Sequence, residues 1–265
     1  KFMFDVDALP RTLSALFGPT DVRPVLLDEA TDVIRLQINN IQNTGYPVVA
    51  YLGIVNLKTP GLEVHVGGTL SLKTYTSEFA RQNDCSIAIN GEAGASPQND
   101  SGLGVWRGNF MVAGKLLQKE DPTDLRPFLG FNQKNDVHFT PMAAKDRAIA
   151  PDQYNVIWGR LDAVINDKVQ TENERDRQPR TAMGIDKDGS HLYLLVIDGR
   201  QQRYSVGFTR AEVGVLLQAF GCFNGMLCDE GGSSCMWIPK LGGLINSPSD
   251  GEERPTYTHF GIAVH

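Results

Sequence analysis

Short runs of Val, Ile and Leu, each cut off by Gly, Pro or Asn, constrain this chain more than any other feature. Val22 to Leu36, Val48 to Val55, Leu62 to Val66 and Ile87 to Ile89 read as strands on that basis. Leu129 to Phe139, Val156 to Val164 and Tyr257 to Val264 extend the series, and a hairpin is expected around Gly114, over Asn109 to Leu117. After Arg180 the pattern sharpens. Thr181 to Asp186, a turn at Lys187-Asp188-Gly189, and His191 to Asp198 form a β-hairpin, and Gly225 to Asp229 is a short apolar strand that ends on a carboxylate.

Helical signals are few. Leu9 to Phe17 is amphipathic and closed by Gly18 and Pro19, and Thr74 to Asn83 is expected to be helical. The strongest helix is Thr209 to Phe220. Its Thr209 and Glu212 form a capping box that satisfies two otherwise unpaired backbone donors. Val213, Leu216, Leu217 and Phe220 then fall on one stripe, and Gly221 stops the helix. The polar run Gln170 to Pro179 has no apolar period and reads as a solvated loop. Many strands with a few helices predict an α+β fold: a largely antiparallel or mixed β-sheet core with a few packed helices. A single domain is expected, with residues 1–80 as an N-terminal segment or subdomain packed on a body of residues 81–265.

Composition narrows the function classes. The 265 residues are 41% hydrophobic and 21% charged, the profile of a folded globular protein. No block of Lys and Arg stands out and the net charge is −6, which argues against a nucleic-acid partner or an anionic membrane surface. No apolar run is long enough for a transmembrane helix. The first residue is Lys, so the sequence neither shows nor excludes a leader. Oligomeric state is left open. Cys222, Cys228 and Cys235 crowd together, with Cys85 apart. Their spacing fits no zinc pattern, so buried thiols are expected first, a disulfide second and a metal third.

The chemistry-bearing residues gather where strands end. Asp229-Glu230-Gly231-Gly232-Ser233-Ser234 follows a buried strand with a carboxylate, two glycines and two hydroxyls. Such a turn lets backbone N–H groups approach an anion, although standing alone it is also an ordinary polar turn. Ile197-Asp198-Gly199-Arg200-Gln201 ends another strand, Arg180 opens the strand Thr181 to Asp186, and Ile89-Asn90-Gly91-Glu92 is a fourth cluster. Converging at one sheet edge, these groups would line a pocket. Asp198 before Gly is equally a normal turn residue, and Glu253 with Arg254 could form a surface pair of little energetic consequence. The five histidines are scattered, with no H-E-x-x-H pattern, and Ser233 lacks the G-x-S-x-G setting of a serine nucleophile.

Taken in order, Arg180 to Asp186, Asp198 to Gln201, Ser205-Val206-Gly207-Phe208-Thr209 and Asp229 to Ser234 resemble the phosphodiester glycosidase family. Ile89-Asn90-Gly91 upstream is similar to that family's I-N-G-G segment, and Asn246 to Pro255 downstream to its N-x-P-x-D-x-x-E-R-P tail. The resemblance spans about residues 85–265. Two departures stand out: Glu230 replaces the first glycine of D-G-G-G-S-S, and Glu92-Ala93-Gly94-Ala95 replaces the aromatic that usually follows Asn90-Gly91.

The resemblance implies a hydrolase that cleaves the glycosidic bond of a sugar-1-phosphodiester, releasing sugar and a phosphate monoester. It also implies a secreted, periplasmic or cell-surface location, with the leader removed. On it, Asp198 and Asp229 are the principal acid, base or nucleophile candidates, with Glu92 as a further catalytic carboxylate. Arg180 and Arg200 would clamp phosphate over Gly231, Gly232, Ser233 and Ser234. Asn90, Asn246, Glu253 and Glu230 are the remaining substrate-binding candidates. No cofactor is required, no metal ligands are assigned, and a divalent cation is allowed by the carboxylates without being demanded by their spacing. Two rivals remain: a non-catalytic glycan- or exopolysaccharide-binding envelope protein, and a metal-dependent phosphodiesterase.

Overall fold

The computed structural model describes residues 7–69, 71–92, 107–170 and 175–265. Of the expected features, Ala93 to Ala95 and part of the Gln170 to Pro179 loop lie outside the described residues. The first third contributes helices α1 (Leu9–Phe17) and α2 (Thr76–Gln82) and strands β1 (Thr20–Leu26), β2 (Thr31–Ile38), β3 (Val48–Asn56), β4 (Leu62–Gly68) and β5 (Ile87–Asn90). The middle adds β6 (Phe110–Val112), β7 (Lys115–Gln118), β8 (Phe128–Asn132), β9 (Val137–Thr140), β10 (Gln153–Trp158), β11 (Leu161–Ile165) and β12 (Lys168–Val169). The last third holds β13 (Arg180–Ile185), β14 (His191–Ile197), α3 (Arg210–Ala219), β15 (Asn224–Leu227), β16 (Met236–Ile238), β17 (Gly243–Leu244) and β18 (Thr258–Val264). The fold is α+β.

Three antiparallel sheets result. An eight-stranded sheet runs β1-β2-β3-β14-β13-β15-β11-β12, and two five-stranded sheets run β7-β6-β10-β8-β9 and β17-β16-β5-β18-β4. Strand β3 explains why its sequence shows no polar alternation. Val49, Tyr51 and Val55 point into a core shared with the two smaller sheets, through Ile87, Phe131, Trp158 and Phe260. Ala50, Leu52 and Ile54 point to the other face, where Leu13 and Phe17 of α1 and Val213, Leu216 and Leu217 of α3 cover them. A strand buried on both faces reads as a continuous apolar run. Gly53 in its middle has no room for a side chain, because a Cβ there would come within 2.6 Å of Ile87 Cδ1.

Three apolar runs that read as single strands are divided. Val22 to Leu36 is the hairpin β1–β2, turned at Asp28, whose Oδ1 accepts the Ala30 N–H at 2.9 Å. That turn contains neither Gly nor Pro. Leu129 to Phe139 is the hairpin β8–β9, with Asn135 at φ 61° and the Asn132 side chain accepting the Lys134 and Asp136 N–H groups. Val156 to Val164 breaks at Gly159-Arg160, where the chain passes from the sheet of β10 to that of β11. Gly159 is required there, since a Cβ would lie 2.6 Å from the Leu227 carbonyl oxygen. The hairpin β13–β14 forms within one residue of its expected bounds, and the capping box on α3 is present at the expected Thr209 and Glu212.

Residues before 80 are woven into two of the three sheets. Strand β3 pairs with β14 over its length, and β4 pairs with β18. Cys85, Cys222, Cys228 and Cys235 are all buried as free thiols, and burial raises the pKa of each.

Candidate active site

Antiparallel register brings the polar strand ends to one edge of the large sheet. Arg180 opens β13 opposite Ile197 at the end of β14, and Ala182 lies opposite Leu227 at the end of β15. Asp198 and Asp229 therefore leave the sheet beside the point where Arg180 enters it. Leu227 is also opposite Leu161, so Arg160, just before β11, arrives at the same edge. From the neighbouring sheet, Asn90 at the end of β5 joins these elements. Its Nδ2 donates to the Asp229 carbonyl at 3.2 Å, and its Oδ1 accepts from Thr181 Oγ1 at 2.8 Å and the Cys235 N–H at 3.0 Å. Asn90 is wholly buried and acts as a clamp between sheets.

The most concentrated group surrounds Arg160. Its Nη2 donates to Glu92 Oε1 and to Asp229 Oδ1, each at 2.9 Å, and its Nη1 donates to Glu230 Oε1 at 3.1 Å. One guanidinium thus joins two buried carboxylates, Glu92 at 5% and Asp229 at 7% exposure. Burial pushes the Glu92 carboxyl up to about 7, with the charge of Asp229 adding to the rise and Arg160 opposing it. Burial also raises Asp229, opposed by the Ser233 hydroxyl and by Arg160. A carboxyl that still holds its proton near neutrality, joined through one guanidinium to a second carboxyl, is a candidate acid beside a candidate base or nucleophile.

Asp198 stands in a different group, linked to the Gly231–Ser234 turn through Asn246. Its Oδ1 accepts from Asn246 Nδ2 at 3.0 Å and the Ser247 N–H at 2.9 Å, and its Oδ2 accepts from the Tyr204 hydroxyl at 3.2 Å. Burial lifts its carboxyl to about 6 against those three donors. Asn246 in turn binds the Ser234 carbonyl at 3.0 Å and the Met236 N–H at 2.8 Å, so Asp198 and Asn246 together anchor the turn that follows Asp229.

The glycine turn itself is tightly enclosed. Gly231 has φ +73°, and its N–H donates to the Pro179 carbonyl at 3.0 Å, while the Ser234 N–H bonds back to Gly231 at 3.1 Å. A Cβ on Gly231 would sit 3.0 Å from both Nη atoms of Arg200, and one on Gly232 would collide at 2.3 Å with the Asp250–Arg254 pair. Ser233 and Ser234 are buried, and among the described residues Ser234 Oγ has no hydrogen-bond partner. Arg200, exposed and donating to Gln178 Oε1 at 2.7 Å, brings the expected guanidinium to the rim of the turn.

Arg180 is placed otherwise than a phosphate clamp needs. Its side chain is 1% exposed. Nε donates to the Phe208 carbonyl at 2.9 Å, Nη2 donates to the Asp176 carbonyl at 2.8 Å, and Nη1 is bound to Glu230 Oε2. Glu253 lies apart from Arg160, where its Oε1 accepts the Ser77 N–H at 2.8 Å at the start of α2. Arg160 and Arg210, both at the centre of this network, were not singled out from the sequence. The signal for Arg160 was the Gly159-Arg160 interruption within an apolar run, which marks a strand end like the other four. Among the described residues, no group of three or more His, Cys, Asp and Glu side chains is arranged to hold a metal ion.

The sequence pattern of the family described as phosphodiester glycosidase matches residues 83–263. Over 78 residues the chain is 41% identical to the SPbeta prophage-derived uncharacterized protein YomE of Bacillus subtilis (strain 168), a stretch that is 29% of this chain and 12% of that protein. The chain thus spans only a small part of that relative's length. Its fold is similar to the catalytic domain of zebrafish N-acetylglucosamine-1-phosphodiester α-N-acetylglucosaminidase, described as auto-inhibited by its pro-peptide. The TM-score is 0.70 at 19% identity, over 93% of this chain and 88% of that one. A putative exported protein from Burkholderia pseudomallei K96243 is similar to the same degree, with TM-score 0.70 at 10% identity over 92% and 96% of the two chains.

Proposed function

Because this chain belongs to the phosphodiester glycosidase family, we propose that it hydrolyses the glycosidic bond of a sugar-1-phosphodiester, releasing sugar and a phosphate monoester. The observation that carries this reading is the single Arg160 guanidinium bridging Glu92 and Asp229 at 2.9 Å each. Cleavage at an anomeric carbon develops positive charge on the sugar ring and negative charge on the departing oxygen. Asp229, whose charged form Arg160 and Ser233 favour against the burial that raises its pKa, faces the first charge as nucleophile or base. Glu92, protonated until about pH 7, supplies the proton for the second. A phosphate is already a good leaving group, so an acid of this strength suffices. Arg200, exposed beside Gly231, is the guanidinium that meets the phosphate.

Asp198 is assigned a positioning role, holding Asn246 and through it the Gly231–Ser234 turn. Asn90 likewise sets the distance between β5 and β15. No cofactor enters this scheme. A secreted or cell-envelope location fits the family and the exported relative of similar fold, and it is part of the proposal. No helix of the described residues is long and apolar enough to cross a membrane.

The test is hydrolysis of a synthetic sugar-1-phosphodiester in ¹⁸O-water. Glycosidic C–O cleavage places the label on the sugar and leaves the bridging oxygen on the phosphate monoester. Label on the phosphate would instead establish P–O cleavage, the phosphodiesterase reading, and inhibition by a chelator would add weight to it. Binding of sugar phosphodiesters without release of either product, across a broad panel, would make the chain a glycan-binding protein.

A further inference from the structure

Glu230 has an environment unlike that of any other carboxylate in the described residues. Three guanidinium groups converge on it: Arg180 Nη1 on Oε2, Arg210 Nη2 on Oε1 at 2.8 Å, and Arg160 Nη1 on Oε1 at 3.1 Å. Its side chain is 13% exposed, at the edge of the Glu92–Asp229 site that shares Arg160 with it. Burial works against its ionisation, but the Arg210 hydrogen bond and the three positive charges outweigh burial and hold Glu230 below the usual carboxylate range. The seat is thus built for an anion, and a side chain of the protein itself is the anion in it.

Two of the three arginines are held in place independently of Glu230. Arg180 is fixed by the carbonyls of Phe208 and Asp176, and Arg160 by Glu92 and Asp229. Guanidinium groups preorganised in this way bind carboxylate or phosphate oxygens alike, through charge-assisted hydrogen bonds. Glu230 itself is in ordinary extended backbone (φ −126°, ψ 177°), so its main chain imposes no requirement for this residue.

We propose that Glu230 is a specificity-determining residue, a tethered anion that fills the Arg160–Arg180–Arg210 seat and so keeps a free phosphate out of it. An inorganic phosphate or phosphomonoester would have to displace a carboxylate that is covalently attached and therefore present at high effective concentration. The consequence for turnover, which alone rests on reading this edge as the active site, is selective: the monoester product is denied the tightest anion seat and is released.

Calorimetric titration with inorganic phosphate at pH 7 and low ionic strength tests the proposal without requiring turnover. Glu230→Gln and Glu230→Gly, each verified as folded by circular dichroism, are expected to bind phosphate at least tenfold more tightly than the parent. Equal affinity in parent and folded variants, whether tight or undetectable, overturns the proposal. If neither variant folds at 25 °C, Glu230 is a structural counter-ion and the proposal is overturned equally. A parent without turnover whose variants gain phosphate binding would sink the hydrolase reading and leave this one standing.

Discussion

Among single residues, the site depends on two buried carboxyls, Glu92 and Asp229, held by one guanidinium. Replacing Asp229 with Asn keeps its size and neutral hydrogen bonding but removes the charge. Turnover of a sugar-1-phosphodiester is expected to fall by about 10²–10⁴-fold, measured as kcat, with the circular dichroism spectrum unchanged. Glu92 gives the pH dependence. Its acid form is the working form, so kcat/KM should decline as pH rises through about 7, and Glu92→Gln should abolish that limb. The same shift has a stability consequence whose sign is opposite to that of a carboxylate whose pKa is depressed on folding. The native state keeps the Glu92 proton up to about 7 while the unfolded chain gives it up near 4.5, so stability falls as pH rises across that window. Urea midpoints of parent and Glu92→Gln at pH 5 and pH 8 measure it, and the drop between them should be smaller in the variant.

Single elements place those residues by register and by enclosed turns. The α3 capping box has both of its hydrogen bonds, Thr209 Oγ1 to the Glu212 N–H at 3.2 Å and Glu212 Oε2 to the Thr209 N–H at 2.8 Å. Thr209→Ala should cost about 1 kcal/mol in denaturant unfolding. Gly159 is the hinge through which Arg160 reaches the site, and its missing side chain leaves room for the Leu227 carbonyl. Gly159→Ala is expected to cost about 1–3 kcal/mol and, because it moves Arg160, to lower kcat as well. A variant that lost stability with kcat intact would show that Arg160 tolerates displacement.

For the whole molecule, the question is whether residues 1–80 are separable. Strand β3 is a central strand of the eight-stranded sheet, between β2 and β14, and Leu13 and Phe17 of α1 seal its outer face. Removing residues 1–80 would strip β14 of its neighbour and expose Leu195 and Ile197. A chain beginning at residue 81 is therefore expected to lack a cooperative unfolding transition and its near-ultraviolet dichroism. If it melted cooperatively, the family-matched region would be an independent domain.

Features whose causes are local can be read along the chain. The hairpin β13–β14, the capped helix α3, and the strand ends carrying Asp198, Asp229, Arg180 and Asn90 were legible, because alternation, turn residues and caps act within a few neighbouring residues. The α+β class followed from the same signals. The division of Val22–Leu36 was hidden because an Asp side chain makes that turn without Gly or Pro. Which polar groups meet depends on folding in three dimensions. Arg160 and Arg210 arrive from β11 and α3, far from Glu230 in the chain, and whether a buried carboxylate is an acid, a positioning group or a tethered counter-ion depends on those arrivals. Glu92, Asp198 and Glu230 are chemically near-identical side chains. Desolvation and neighbouring charge act through space, and so no pattern along the chain could tell the three apart.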